Sequence, residues 1–181
     1  DEKKISRITH LSSDVNPIFE INCSDNSAIL VNVGTGVVCL GRNKDDKIIK
    51  TAGLGLEKDL GSGYWIGKEV ILNLSFNRNI DQDEKEFAEL LDMTLSHFNS
   101  NQLNQIIDDI VSTDDKYRKI ASIAEPLLSL AKIGNEIALS IVQQSSQYVA
   151  EEIFNLIDQI SYLNENLLII GNGGVLKNKF Y

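Results

Sequence analysis

Three glycine-bearing turns carry the residues of this chain that could do chemistry. The first is Val31-Asn-Val-Gly34-Thr35-Gly36-Val-Val-Cys-Leu-Gly41, with short apolar flanks that read as two strands of a hairpin. Gly34 and Gly36 can take positive φ and leave amides free, and the Thr35 hydroxyl can bond a phosphate oxygen. The same Gly-Thr-Gly is also an ordinary tight turn. The second is Thr51-Ala-Gly-Leu-Gly-Leu-Glu-Lys-Asp-Leu-Gly-Ser-Gly-Tyr-Trp-Ile-Gly67, which holds five glycines. Glycine at that density marks backbone that approaches another group closely. Apolar residues at helical spacing follow from Lys68 to Phe76, so the loop is expected to end at a helix N-terminus, whose unpaired N–H groups and dipole favour an anion or a ligand hydroxyl. The third is Leu167-Leu-Ile-Ile-Gly171-Asn-Gly-Gly174-Val-Leu-Lys-Asn178. It is expected to form a buried parallel strand, a loop and a helix, the order of a nucleotide-binding α/β crevice. Neither this turn nor the Gly-Thr-Gly is a Walker A or G-x-G-x-x-G sequence. The occupant these turns suit is a polar, phosphorylated small molecule.

The elements that must position the turns follow from periodicity. Residues 28–33, 37–42 and 47–50 read as a β-meander, with 43–46 as its second turn. Helices are expected over 62–75, 83–98, 101–111, 115–132 and 135–162, the last long and amphipathic, and 167–170 returns to the sheet. Pro126 is expected to kink or interrupt the fourth of these helices. Tyr64 and Trp65 continue into Ile66, Val70 and Ile71 at helical spacing, which assigns them to packing and not to a stacking platform.

Composition narrows the function class. The chain has 181 residues, 43% of them hydrophobic, enough for a substantial core. No run approaches the ~18 apolar residues of a membrane span, and no signal-peptide pattern opens the sequence. A net charge of −9 opposes nucleic acid and anionic lipid as partners. Cys23 and Cys39 are the only cysteines and cannot close a metal site by themselves. His10 and His97 have no partner at metal-ligand or triad spacing and read as exposed or capping residues.

Together and in this order, the turns resemble the C-terminal half of the sugar kinase and actin superfamily, nearest the branch of N-acetylglucosamine kinases and BadF/BadG/BcrA/BcrD-type ATPases. In that branch a G-T-G-S turn precedes G-G-W-G, a short spacer, G-D-E-G-S-x-Y-W-I-G and, much later, a G-G-V turn that cups adenine. The counterparts here are Gly34-Thr35-Gly36, Ala52-Gly53-Leu54-Gly55, Asp59-Leu60-Gly61-Ser62-Gly63-Tyr64-Trp65-Ile66-Gly67 and Gly173-Gly174-Val175. Ala131-Lys-Ile-Gly134-Asn135 also looks like the family's A-x-x-G-D beside the nucleotide. Val37, Leu54 and Leu60 depart from the pattern, standing where it has serine, tryptophan and glutamate. Apolar side chains there cannot hydrogen-bond a sugar, which argues against N-acetylglucosamine itself.

The resemblance implies an α/β fold, the second lobe of a ribonuclease H-like (actin-like ATPase) protein, with a mixed sheet and a helical block. Residues 28–181 would be that lobe with a helical insertion, and 1–27 the end of a preceding lobe or an inter-lobe segment. Nothing in residues 1–22 resembles the family's D-G-G-x-x-T phosphate hairpin, and the chain stops soon after the adenine turn, so a fragment shortened at both ends is expected. The implied activity is ATP-dependent phosphoryl transfer to a sugar or amino-sugar hydroxyl, with ATP and Mg2+ as cofactors and a cytoplasmic setting. The alternatives are a non-catalytic nucleotide- or sugar-sensing module and an ATPase acting on a partner protein. A homodimer is compatible with the long helices. By resemblance, Gly34, Thr35, Gly36, Ala131, Gly173 and Gly174 would bind nucleotide, and Gly53, Gly55 and Asp59 the substrate. Asp59 also fits simple dipole stabilisation beside a helix N-terminus. The family's general base is an aspartate about twenty residues before the G-T-G turn. Asp14 lies at nearly that distance, and Ser12-Ser13-Asp14 reads equally well as a helix cap, while Asp25 reads as a loop residue.

Overall fold

The computed structural model describes residues 15–22, 28–43, 45–76, 84–160 and 167–181. His10, Asp14, Cys23 and Asp25 lie outside the described residues. The chain order is α1 (Val15–Asn22), β1 (Ala28–Val33), β2 (Val37–Arg42), β3 (Ile48–Ala52), α2 (Gly63–Phe76), α3 (Glu84–His97), α4 (Leu103–Val111), α5 (Lys116–Ala121), α6 (Ala124–Lys132), α7 (Glu136–Ile160) and β4 (Leu168–Asn172).

The strands form one mixed sheet in the order β3-β2-β1-β4. The meander is antiparallel, with Val31 opposite Cys39 and Cys39 opposite Thr51. β4 runs parallel to β1, pairing Ala28 with Leu168 and Asn32 with Asn172. Alternation along β1 and β2 feeds two clusters. Ile29, Val31, Val33, Val37 and Cys39 point into the main core with the helical block. Leu30 and Leu40 point to the opposite face, where Phe19 of α1 covers them. α7 crosses the main face, and Gly41 permits its approach: a Cβ there would stand 3.1 Å from Ile29 and 3.2 Å from Ile160.

The expected α/β class and mixed sheet with a helical block are what the structure shows. The interruption expected of the fourth helix is present: it is two helices broken at Ser122–Ile123, with Pro126 in the first turn of α6, where backbone N–H groups have no intrahelical acceptor. Two local expectations are corrected. β4 is parallel as expected but not buried: among the described residues it is the sheet edge and pairs with β1 alone, and Leu168 and Ile169 are 57% and 50% exposed. The helix expected after Gly174 does not form within the described residues. Residues 173–181 are successive turns, closed by bonds such as Lys177 N–H to Gly173 O and Tyr181 N–H to Asn178 O. The Asn178 side chain accepts the Phe180 N–H, the local competition by which asparagine ends helices.

No helix among the described residues is long and apolar enough to cross a membrane. The Cys39 thiol is buried, and that burial, with Glu152 nearby, pushes it up to about 12, so it is no nucleophile.

Two glycines separate packing from function. A Cβ on Gly67 would collide with the Ile120 carbonyl of α5, whereas one on Gly174 meets open space. Gly67→Ala is expected to cost about 3 kcal/mol, which lowers Tm by roughly 9 °C. Gly174→Ala should stay within about 0.5 kcal/mol of the parent. Thermal unfolding of the two variants side by side checks this; equal midpoints would contradict the α2–α5 packing.

Candidate functional site

Three consecutive carbonyl groups at the end of β1 each dock a different piece of chain. Val33 O accepts the Val175 N–H at 3.1 Å, Gly34 O accepts Gly63 N–H at 2.8 Å, and Thr35 O accepts Tyr64 N–H at 3.1 Å. The first joins the 173–175 turn to the hairpin, and the other two seat the start of α2 on it. Gly173, at φ +99°, lies directly against the Val33 backbone, where a side chain would not fit.

This seating overturns one expectation. The start of α2 is not an open anion site, because its orphan N–H groups are already satisfied. Gly63 and Tyr64 donate to the hairpin, Trp65 N–H donates to Ser62 Oγ at 3.1 Å, and Ile66 N–H bonds to Ser62 O. The sequence signal was real: a helix does begin at Gly63. Its partner comes from a hairpin distant in sequence, which no local pattern reveals.

Asp59 is 6% exposed and ties the second glycine loop to the first. Its Oδ1 accepts the Leu54 N–H at 2.9 Å and its Oδ2 the Val37 N–H at 3.4 Å. Gly36 faces this carboxylate: a Cβ there would lie 2.8 Å from Asp59 Oδ2. The loop between is held in left-handed backbone at Ala52, Gly53 and Gly55, with φ of 57°, 64° and 112°. Leu54 and Leu60 project from it, 74% and 43% exposed. Below it, Glu57 accepts the Tyr64 hydroxyl at 2.7 Å and pairs with Lys68 at 3.2 Å. The Tyr64 bond, reinforced by Lys68, holds the Glu57 carboxyl below its ordinary value, while burial and then Glu57 push the Tyr64 phenol up. Trp65 meets the Tyr148 ring edge-on, and Tyr64 meets Tyr117 likewise, which bears out their reading as packing residues.

A cavity of about 730 Å³ opens where the first and third glycine turns meet, within the size range of small-molecule sites. Gly34, Thr35 and Gly63 line one side and Gly174 and Val175 another; the helical block contributes His97, Arg118, Ala121, Ser122, Ala124, Glu125 and Leu128, and the last turns Lys177 and Asn178. Of the residues singled out in the sequence, Gly34, Thr35 and Gly174 line it, with Gly173 immediately beside them. Gly53, Gly55 and Asp59 belong to the adjoining loop, Gly36 sits on the side of the hairpin turn that faces Asp59, and none of the four lines the cavity. Ala131 is buried in α6 on the same helix as Ala124 and Leu128, one turn farther on.

Sequence reasoning missed His97, Arg118, Ser122, Glu125, Lys177 and Asn178, which come from separate elements. His97 is exposed in the last turn of α3, as expected, and its Nε2 also bonds Ser122 Oγ across 2.7 Å. With the Ser122 hydroxyl donating to Lys119 O at 2.7 Å, the His97 Nε2–H is the donor of that pair. The basic run Lys116-Tyr-Arg118-Lys119 in a chain of net charge −9 was the available signal. Among the described residues no three His, Cys, Asp or Glu side chains could hold a metal together.

No family model matches the chain. An N-acetylmuramic acid/N-acetylglucosamine kinase of Clostridium acetobutylicum is 26% identical over 156 residues, which is 84% of this chain and 49% of that protein. Two solved structures, provisionally named N-acetylglucosamine kinases, share the fold. That from Chromobacterium violaceum superposes with a TM-score of 0.64 at 19% identity, over 82% of this chain and 48% of that one. That from Porphyromonas gingivalis gives 0.55 at 15%, over 90% and 62%. The chain is thus similar to proteins named as N-acetylglucosamine kinases. The fold is shared with these solved structures, and the chain spans about half the length of the curated relative it matches.

Asp59 provides a test of the loop geometry. Asp59→Asn turns one of its two acceptors into a donor facing a backbone N–H, so stability should fall by about 1–3 kcal/mol. Asp45→Asn, on the exposed second turn, serves as the control. Urea unfolding midpoints read the difference; coincident midpoints would contradict the double acceptance by Asp59.

Proposed function

We propose that the cavity receives ATP and that the chain is the nucleotide-side part of a sugar kinase, acting in the cytoplasm on a sugar or amino-sugar hydroxyl. The observation that carries this reading is the meeting of Gly34-Thr35 and Gly174 on one hollow. The Thr35 hydroxyl would serve the phosphate side, and Gly174, which has open space where a side chain would stand, leaves the backbone bare for a base. Ala121, Ala124, Leu128 and Val175 supply the apolar wall a purine ring requires, with Ala131 supporting it from within α6. The naming of the Clostridium acetobutylicum relative as a sugar kinase supports the same reading.

A resident Mg2+ does not fit the described residues, whose only cavity carboxylate is Glu125. Magnesium would arrive as the ATP complex, held through phosphate oxygens. The chain's own contribution is to bind and orient the nucleotide, which is most of what phosphoryl transfer asks of a protein.

The 53–60 loop is the acceptor side in this reading. Gly53 and Gly55 present bare backbone, and Asp59 fixes that backbone by its two accepted N–H groups. The exposed Leu54 and Leu60 favour an acceptor with apolar substituents, and equally a second reading in which the lobe senses nucleotide without turnover. Asp14, just ahead of α1, is the proposed base that takes the proton from the acceptor hydroxyl.

Calorimetric titration of ATP into the chain tests the cleft. Binding is expected, and Gly174→Val, which puts a branched side chain into the hollow, should weaken it at least about tenfold, a change of about 1.4 kcal/mol. An unaltered affinity would place ATP elsewhere. Where both halves of the kinase are present, Asp14→Asn should remove sugar phosphorylation, by at least about 100-fold, and leave ATP binding nearly intact. Turnover retained in that variant excludes Asp14 as the base, and absence of turnover in the parent over a panel of amino sugars, hexoses and polyols supports the sensing module.

A further inference from the structure

A triphosphate approaching a chain of net charge −9 is repelled unless the cleft supplies local positive charge. The backbone supplies little of it. Gly63 and Tyr64 have spent their N–H groups on the hairpin, Gly34 N–H goes to Gly36 O, and Val37 N–H goes to Asp59. In the hairpin turn, only the Thr35 and Gly36 amides are left among the described residues.

Side chains must therefore carry the charge recognition, and the cavity has two cations suited to it. Arg118 projects from α5 and Lys177 from the turns after β4, against the single carboxylate of Glu125. The only ion pair Arg118 forms among the described residues is a loose one, Nε to Asp115 at 3.8 Å, with the two side chains 79% and 65% exposed. An exposed pair of that length contributes little and gives way readily to a better acceptor. The planar guanidinium can grip two oxygens of a phosphate at once, and Lys177 can follow as a mobile point charge.

We infer that Arg118 and Lys177 form a clamp on the phosphate chain of the bound nucleotide, one cation from each of two walls of the cleft; this rests on the nucleotide reading above. The clamp makes the site discriminate by ligand charge. ATP and ADP gain from it, and the uncharged adenosine does not.

The test is titration of ATP, ADP and adenosine into the parent chain, Arg118→Ala, Lys177→Ala and the double variant, with thermal midpoints recorded for each. Both side chains lie at the rim, so midpoints should hold. Each single substitution is expected to weaken ATP about tenfold and the double variant about 100-fold, with adenosine affinity unchanged. ATP affinity unchanged in the double variant overturns the clamp and leaves the nucleotide cleft standing. Equal losses for ATP and adenosine overturn it too, since they would mean that the residues shape the pocket and not the charge. A parent chain that binds neither ligand removes the nucleotide reading and the clamp together.

Discussion

The end of β1 is the constraint on which the cleft depends. Three successive carbonyls, of Val33, Gly34 and Thr35, are shared out to the last turn, to Gly63 and to Tyr64. Parallel pairing of β4 with β1 delivers Gly173 and Gly174 to the same end of the sheet as the Gly34–Gly36 hairpin. The hydrogen bond from Val175 to Val33 then fixes the two turns side by side. Buried backbone groups must find partners, so these bonds are obligatory and leave the hairpin little freedom. The helical block is positioned from the same point: α2 starts on the hairpin, α5 packs on α2 through Gly67, and α5 and α6 close the cavity.

This arrangement separates two roles that the glycine-rich sequence made look alike. Glycines 53 and 55 shape a loop that Asp59 fastens to the hairpin, and their left-handed backbone serves that shape. Glycines 34 and 174 face the hollow and leave room in it. Gly67 serves neither and is a packing residue. One residue type thus does three jobs, told apart by backbone φ, by cavity lining and by what a Cβ would meet.

The strands of the hairpin, the parallel return of β4 and the long α7 were legible because alternation and helical periodicity are local. The family resemblance implied that all three glycine turns share one hollow, and the structure brings the first and third together while the second stands in the adjoining loop. The satisfied start of α2 was not legible, since its partners are nearly thirty residues upstream and belong to the hairpin's carbonyls and not its side chains. Arg118, Lys177 and the His97–Ser122 pair were hidden for the same reason: each looks like an ordinary surface residue until the helices fold around the turns. Exposure of β4 depended on sheet order, which an apolar run such as Leu167 to Ile170 does not encode.

The central claim is that one nucleotide bridges the first and third glycine turns while the second holds back in an adjoining loop. Backbone amide hydrogen exchange with and without ATP tests it most directly. The account predicts slowed exchange at Thr35, Gly36 and residues 174–178, with residues 53–60 unchanged. Protection confined to 53–60, with none at Thr35 or across 174–178, would contradict it.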